Sequence, residues 1–117
     1  MSLSKEEIRL SLLDHMKKKG LEPGSILVSK PGALLKIIQI SLEDLEKNID
    51  ELSQQIDLEN TGLAPGTILL FVNAHGVRRQ STGAWDFWYE FLVGEQTFFV
   101  PAAGLGDWKL KNEFEVK

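Results

Sequence analysis

Two stretches of the chain space their apolar residues three or four apart, and the others place them two apart or in short unbroken runs. Over residues 4–19, Ile8, Leu12 and Met16 recur every fourth position with Leu13 beside them, which predicts an amphipathic helix with one apolar stripe. Ser4 can accept a first-turn backbone N–H, and Glu7 follows at capping-box spacing. Lys17, Lys18 and Lys19 close the stretch where cations complement the helix dipole. Gly20 then suits a left-handed C′ position, with Leu21 folding back on the helix in a Schellman-type ending. Over residues 42–58, Leu42, Leu45, Ile49, Leu52 and Ile56 form the narrow seam of a second helix, which Ser41 and Asp44 mark as capped. That seam would serve a homodimer as well as an intramolecular core. Gly62 followed by Leu63 repeats the Gly-Leu ending of the first helix.

The remaining runs predict strands. Residues 25–28 form a short one, followed by a Pro31-Gly32 turn. In 33–40 the β-branched Ile37, Ile38 and Ile40 favour a strand paired with 25–28, with a forward extension of the second helix as the alternative. Residues 67–73, 84–93, 97–100 and 108–116 then read as four strands of an antiparallel meander, the last by alternation of Trp108, Leu110, Phe114 and Val116. Gly94-Glu95 suits a two-residue hairpin turn. One segment echoes another: Gly20-Leu21-Glu22-Pro23-Gly24-Ser25-Ile26-Leu27 matches Gly62-Leu63-Ala64-Pro65-Gly66-Thr67-Ile68-Leu69 at all but the third position, counting Ser and Thr as equivalent. Shared connector chemistry explains this, and a duplicated helix–turn–strand unit is the sharper alternative.

The pattern predicts one α+β domain over residues 1–117, two amphipathic helices packed on a mainly antiparallel sheet with an aromatic-rich C-terminal meander. An SH3-like or partly barrel-like second half is compatible with it, but no motif identifies a family. At 117 residues with 43% apolar and 26% charged side chains, the chain can bury a core without disulfides or metal. It has no cysteine, which excludes thiol chemistry and fits a reducing compartment. No apolar run reaches membrane-span length, and the polar, helix-forming start has none of the features of a leader, so the expected location is the cytoplasm.

Charge changes the picture in one place. The net charge is −4, yet residues 41–59 hold seven acids against Lys47, a local −6, while the rest holds ten acids and twelve bases. A helix carrying that charge could dock a basic protein through Glu43, Glu46 and Asp50. A solvated helix face is the commoner explanation of such a run.

Candidate chemistry gathers around strand 84–93. Alternation puts Trp85, Phe87, Tyr89, Phe91 and Val93 on one face as core, leaving Asp86, Trp88, Glu90 and Leu92 on the other. An aromatic between two carboxylates could floor a pocket for a cation or polar ligand. The preceding loop adds His75, Arg78 and Arg79, and two arginines near hydroxyls can grip an anion. The commoner arrangement is a cross-strand ion pair with Asp86 or Glu90. Arginines with aromatics are also the minimum for single-stranded nucleic acid, against which the net negative charge argues. His15 and His75 are the only histidines, too few for a site built on His and Cys ligands, so no metal or cofactor is expected. His75 beside Gly76 reads as a turn or bulge residue. Gly104-Leu105-Gly106 lacks the strand-before, helix-after setting of a phosphate loop. The sequence therefore favours a non-enzymatic interaction domain, partner-binding through the acidic helix, with a ligand pocket beside 84–93 and the 75–82 loop as the alternative.

Overall fold

The computed structural model describes residues 4–54 and 60–117. The first helix, α1, spans Lys5–Lys17, and Ser4 Oγ accepts the Glu7 N–H at 3.1 Å. Its end is the expected Schellman motif. Leu21 N–H donates to Met16 O and Gly20 N–H to Lys17 O, Gly20 has φ +86°, and Leu21 is fully buried.

Six strands form one antiparallel sheet. They are β1 (Ile26–Ser29), β3 (Ile38–Gln39), β5 (Ile68–Arg78), β6 (Trp85–Val93), β7 (Gln96–Pro101) and β8 (Phe114–Val116), in the order β3-β7-β6-β5-β1-β8. The sheet curls into a half-barrel, and a second, two-stranded sheet pairs β2 (Leu34–Leu35) with β4 (Thr61–Gly62). Gly94 at φ +64°, with Glu95 outside the left-handed region, closes β6 to β7 as a type II′ hairpin, as the sequence indicates.

Four expectations need correction. Residues 33–40 neither continue as one strand nor pair with 25–28. The chain leaves the small sheet after Leu35 and joins the large one at Ile38, while β1 lies between β5 and β8. The second helix breaks at Asn48 into α2 (Leu42–Lys47) and α3 (Ile49–Gln54), because Asn48 leaves helical geometry and its side-chain amide donates back to Asp44 O at 2.8 Å. Ile56 and the rest of the predicted helix through 58 fall outside the described residues. Gly62 is a strand residue opposite Leu34 rather than a helix cap. The segment 108–116 is a short helix, α4 (Asp107–Asn112), followed by β8. Leu110 and Phe114, four apart, are buried and Trp108 is 70% exposed. A strand would put Trp108 and Leu110 on one face, whereas residues two apart point to opposite sides of a helix, so Leu110 is buried and Trp108 is not. A Lys109–Glu113 ion pair at 2.7 Å fixes the helical register.

The repeated segment builds a local two-fold. Pro23-Gly24 and Pro65-Gly66 both turn with the glycine at positive φ, and Ser25 N–H and Thr67 N–H close the turns on Glu22 O and Ala64 O. The strands they start then pair with each other, with Leu27 opposite Leu69 at the centre. The flanking bonds are related by the same symmetry: Gly24 N–H to Phe71 O and Gly66 N–H to Ser29 O, each 2.8 Å.

Both sheet faces are covered. On one, Met16, Leu27, Phe71, Ala74, Tyr89, Phe91, Val100, Leu110 and Phe114 belong to the main core, with α1 across β5. A bulge between Phe71 and Asn73 shifts the alternation so that Phe71 and Ala74 share that face. On the other, Leu45 and Ile49 of the α2–α3 seam bury Val77, Trp88 and Phe99. The described seam residues Leu42, Leu45, Ile49 and Leu52 thus pack within the chain's own core. None of the described helices is long and apolar enough to cross a membrane.

Candidate functional site

The hairpin β5–β6 carries most of the side chains that the sequence singles out, and its covered second face decides what they do. His75 lies in mid-strand opposite Trp88, two residues past the bulge, so it is neither a turn nor a bulge residue. Its Nε2 is 2.7 Å from Glu90 Oε1, and its ring packs edge-on against Phe99 at 5.7 Å. Arg79 donates through Nε and one terminal nitrogen to both oxygens of Asp86, each at 2.8 Å. This bidentate clasp is the cross-strand ion pair. Arg78 caps the hairpin, with its Nε donating to Gly83 O at 3.2 Å and its guanidinium over the Trp85 ring. The two arginines therefore bind the hairpin itself, and the nucleic-acid arrangement loses them. Of the lysine run, Lys18 meets Asp14 and Lys19 meets Asp107 at 3.0 Å.

The acidic helix is also tied in. Asp50 accepts the backbone N–H groups of Gln80 and Ser81 and so holds the β5–β6 loop. Glu46 pairs with Lys5 of α1 at 3.3 Å and Glu43 with Lys47 at 3.0 Å, and both pairs stay largely exposed.

Trp88 is packed shut, 3% exposed, under the α2–α3 seam. A cavity does lie beside it. A groove of about 610 Å³ runs along the 85–88 end of β6, and its far wall is the 3₁₀ turn Ala102–Gly104 followed by the start of α4. That volume is in the range of small-ligand sites. Of the predicted residues, Arg79, Asp86 and Trp88 line it, and His75, Arg78 and Glu90 do not. The sequence reading missed Lys36, Phe87, Trp108 and Lys109. Alternation places Phe87 in the core, yet it is 43% exposed. Trp108 was hidden by the strand assignment of 108–116. All three tryptophans of the chain line this one groove.

Polar groups around it are arranged asymmetrically. Lys109 Nζ bonds Glu113 and the Leu34 carbonyl on the α4 wall. Burial alone would raise the Glu113 carboxyl, but bonds from Lys109 and the Leu34 N–H outweigh it and hold it below the usual carboxylate range. The Trp88 indole N–H is buried with no hydrogen-bond partner among the described residues. Such a donor is costly and uncommon in native interiors. Among the described residues there is no group of three His, Cys, Asp or Glu side chains placed to hold a metal.

No protein-family model matches the chain, and no curated protein or solved structure matches it either.

Proposed function

We propose that the protein is a non-enzymatic binding module whose ligand seats in the groove between the 85–88 end of β6 and the Pro101–Lys109 segment. The observation that carries this reading is the convergence of Trp85, Trp88 and Trp108 on one groove, with Trp108 70% and Phe87 43% exposed beside it. Large aromatics held open to solvent around a concavity are a standing opportunity for apolar burial, at roughly 25 cal/mol per Å² covered. The ion pairs Arg79–Asp86 and Lys109–Glu113 hold both walls, which supports a preformed site. Titration with a library of small aromatic carboxylates, followed by tryptophan fluorescence, tests it. A saturable change that Trp108→Ala abolishes supports the reading, and a response unaltered by Trp108→Ala contradicts it.

A second reading, docking of a basic partner through α2, rests on Glu43 and Glu46, whose ion pairs are exposed and easily exchanged. Asp50 serves the hairpin loop and drops out of that surface.

A further inference from the structure

We propose that the groove's ligand is an extended peptide that adds a strand to the open edge of β6, pairing with the main chain of Phe87. This rests on the binding-groove reading above and names the ligand class. The hydrogen-bond parity of the hairpin supplies the argument. In a two-residue hairpin the pair flanking the turn, Val93 and Gln96, is hydrogen-bonded, and bonded pairs then alternate. Phe91–Phe98 and Tyr89–Val100 are therefore bonded pairs, and Trp88–Pro101, the last, is a non-bonded one. A proline is tolerated there because its missing N–H is not needed.

The next β6 residue whose N–H and C=O point to that side is Phe87, followed by Trp85. The β5 side gives the same parity independently. Arg79 N–H donates to Ala84 O at 2.7 Å, so bonds toward β5 fall on residues 86, 88 and 90, and residues 85 and 87 face away from it. After Pro101 the chain turns off into Ala102–Gly104, and no described residue pairs with the Phe87 backbone on the open side. The groove lies along this stretch. It therefore offers main-chain donors and acceptors at strand spacing beside exposed apolar side chains, the combination that strand addition uses.

The geometry also constrains the peptide. Running as β7 does, antiparallel to β6, its residue opposite Phe87 projects onto the Phe87 side and favours a β-branched or aromatic side chain.

The test is selection of heptapeptides from a phage-displayed library on the immobilised protein, followed by amide hydrogen exchange with the selected synthetic peptides. The expected result is enrichment of sequences with alternating β-branched or aromatic positions. Exchange at the Phe87 amide should slow at least tenfold at saturation, and N-methylation of alternate peptide amides should weaken binding at least tenfold. Phe87→Pro removes the donor within the protein and should abolish binding, whereas Phe87→Ala should retain part of it. If Phe87→Pro does not fold, the N-methylated peptides carry the same test. Peptides that shift the Trp108 indole signal but leave Phe87 exchange unchanged overturn strand addition and leave the groove reading standing. Failure to enrich any peptide overturns strand addition as well, and the groove reading is then decided by the aromatic-carboxylate titration.

Discussion

Trp88 and Pro101 face each other as the last pair between β6 and β7, and among the described residues nothing pairs with that edge of β6 beyond them. Among the described strands, β6 is thus central along most of its length and an edge over its first three residues. The chain's three tryptophans meet at that transition. Trp88 is anchored under α3, Trp85 is held by Arg78, and Trp108 stands on the opposite wall.

Trp108 should matter for binding and not for folding. At 70% exposure it contributes little to the core, and Trp108→Ala should change stability by no more than about 0.5 kcal/mol. Thermal unfolding of the variant checks this. A loss of several kcal/mol would mean that α4 docks through this residue.

Gly76 of β5 lies against Ile8 of α1 with no room for a side chain. A Cβ there would lie 2.6 Å from Ile8 Cγ2 and 3.3 Å from Trp85 Cε3. Gly76→Ala should destabilise by about 1–3 kcal/mol through overpacking. In the Ile8→Ala background, where Cγ2 is gone, the same substitution should cost less than half as much. Urea unfolding of the four-member cycle reads the coupling, and purely additive costs would contradict the contact.

The two Pro-Gly turns predict matched behaviour. Gly24 at φ +99° and Gly66 at φ +83° both have open space where a Cβ would go. Alanine at either is therefore penalised by backbone strain alone, about 1–2 kcal/mol. Denaturant unfolding should place Gly24→Ala and Gly66→Ala within about 0.5 kcal/mol of each other, the precision to which such comparisons hold. A cost at only one of them would show that the two-fold around Leu27 and Leu69 is not energetically symmetric.

Acid should loosen the α4 wall. Glu113 has a folded pKa below its ordinary 4.5, so the stability it lends is complete above that value and lost as pH falls through the depressed one. Glu113→Gln should accordingly make stability fall less steeply below about pH 4.5, the ordinary value, while lowering it at pH 7. Urea midpoints at pH 7 and pH 3 measure this, and equal slopes for the two proteins would contradict the assignment.

Much of the fold was legible because local signals agreed with one another. The capped start of α1, its Schellman end at Gly20-Leu21 and the Gly94 hairpin each rest on residues within one turn. The misreadings share a cause. Apolar positions two or four apart in a short segment fit more than one period, so Leu110 and Phe114 concealed α4, and the run 33–40 concealed a chain that changes sheets. The strand β5 runs on to Arg78, well past the predicted end at 73, because Asn73, His75 and Gly76 look like loop residues. Asn73 adjoins the bulge, and the close approach of Ile8 leaves no room for a side chain at Gly76.

The site was half legible for a related reason. Alternation correctly separated Asp86, Trp88 and Glu90 from Tyr89 and Phe91, but it could not say that α2 and α3 would cover the first set. Nor could it say that Phe87, on the same face as Tyr89 and Phe91, would stay exposed. Those outcomes depend on where distant elements end. The repeat, by contrast, proved more informative than shared connector chemistry would suggest, since its two copies pair with each other around Leu27 and Leu69.

Ligand binding at the β6 edge and binding on the acidic helix are separated directly by backbone and indole NMR shifts recorded during titration with peptides selected on the protein. Binding at the β6 edge, as proposed, puts the largest changes on Phe87, Trp85 and the Trp108 indole, and Glu43→Lys with Glu46→Lys then leaves the affinity within about twofold, as for distant sites that do not couple. Changes centred on Glu43 and Glu46, abolished by that charge reversal while the signals of Phe87 and Trp108 stay fixed, would contradict it.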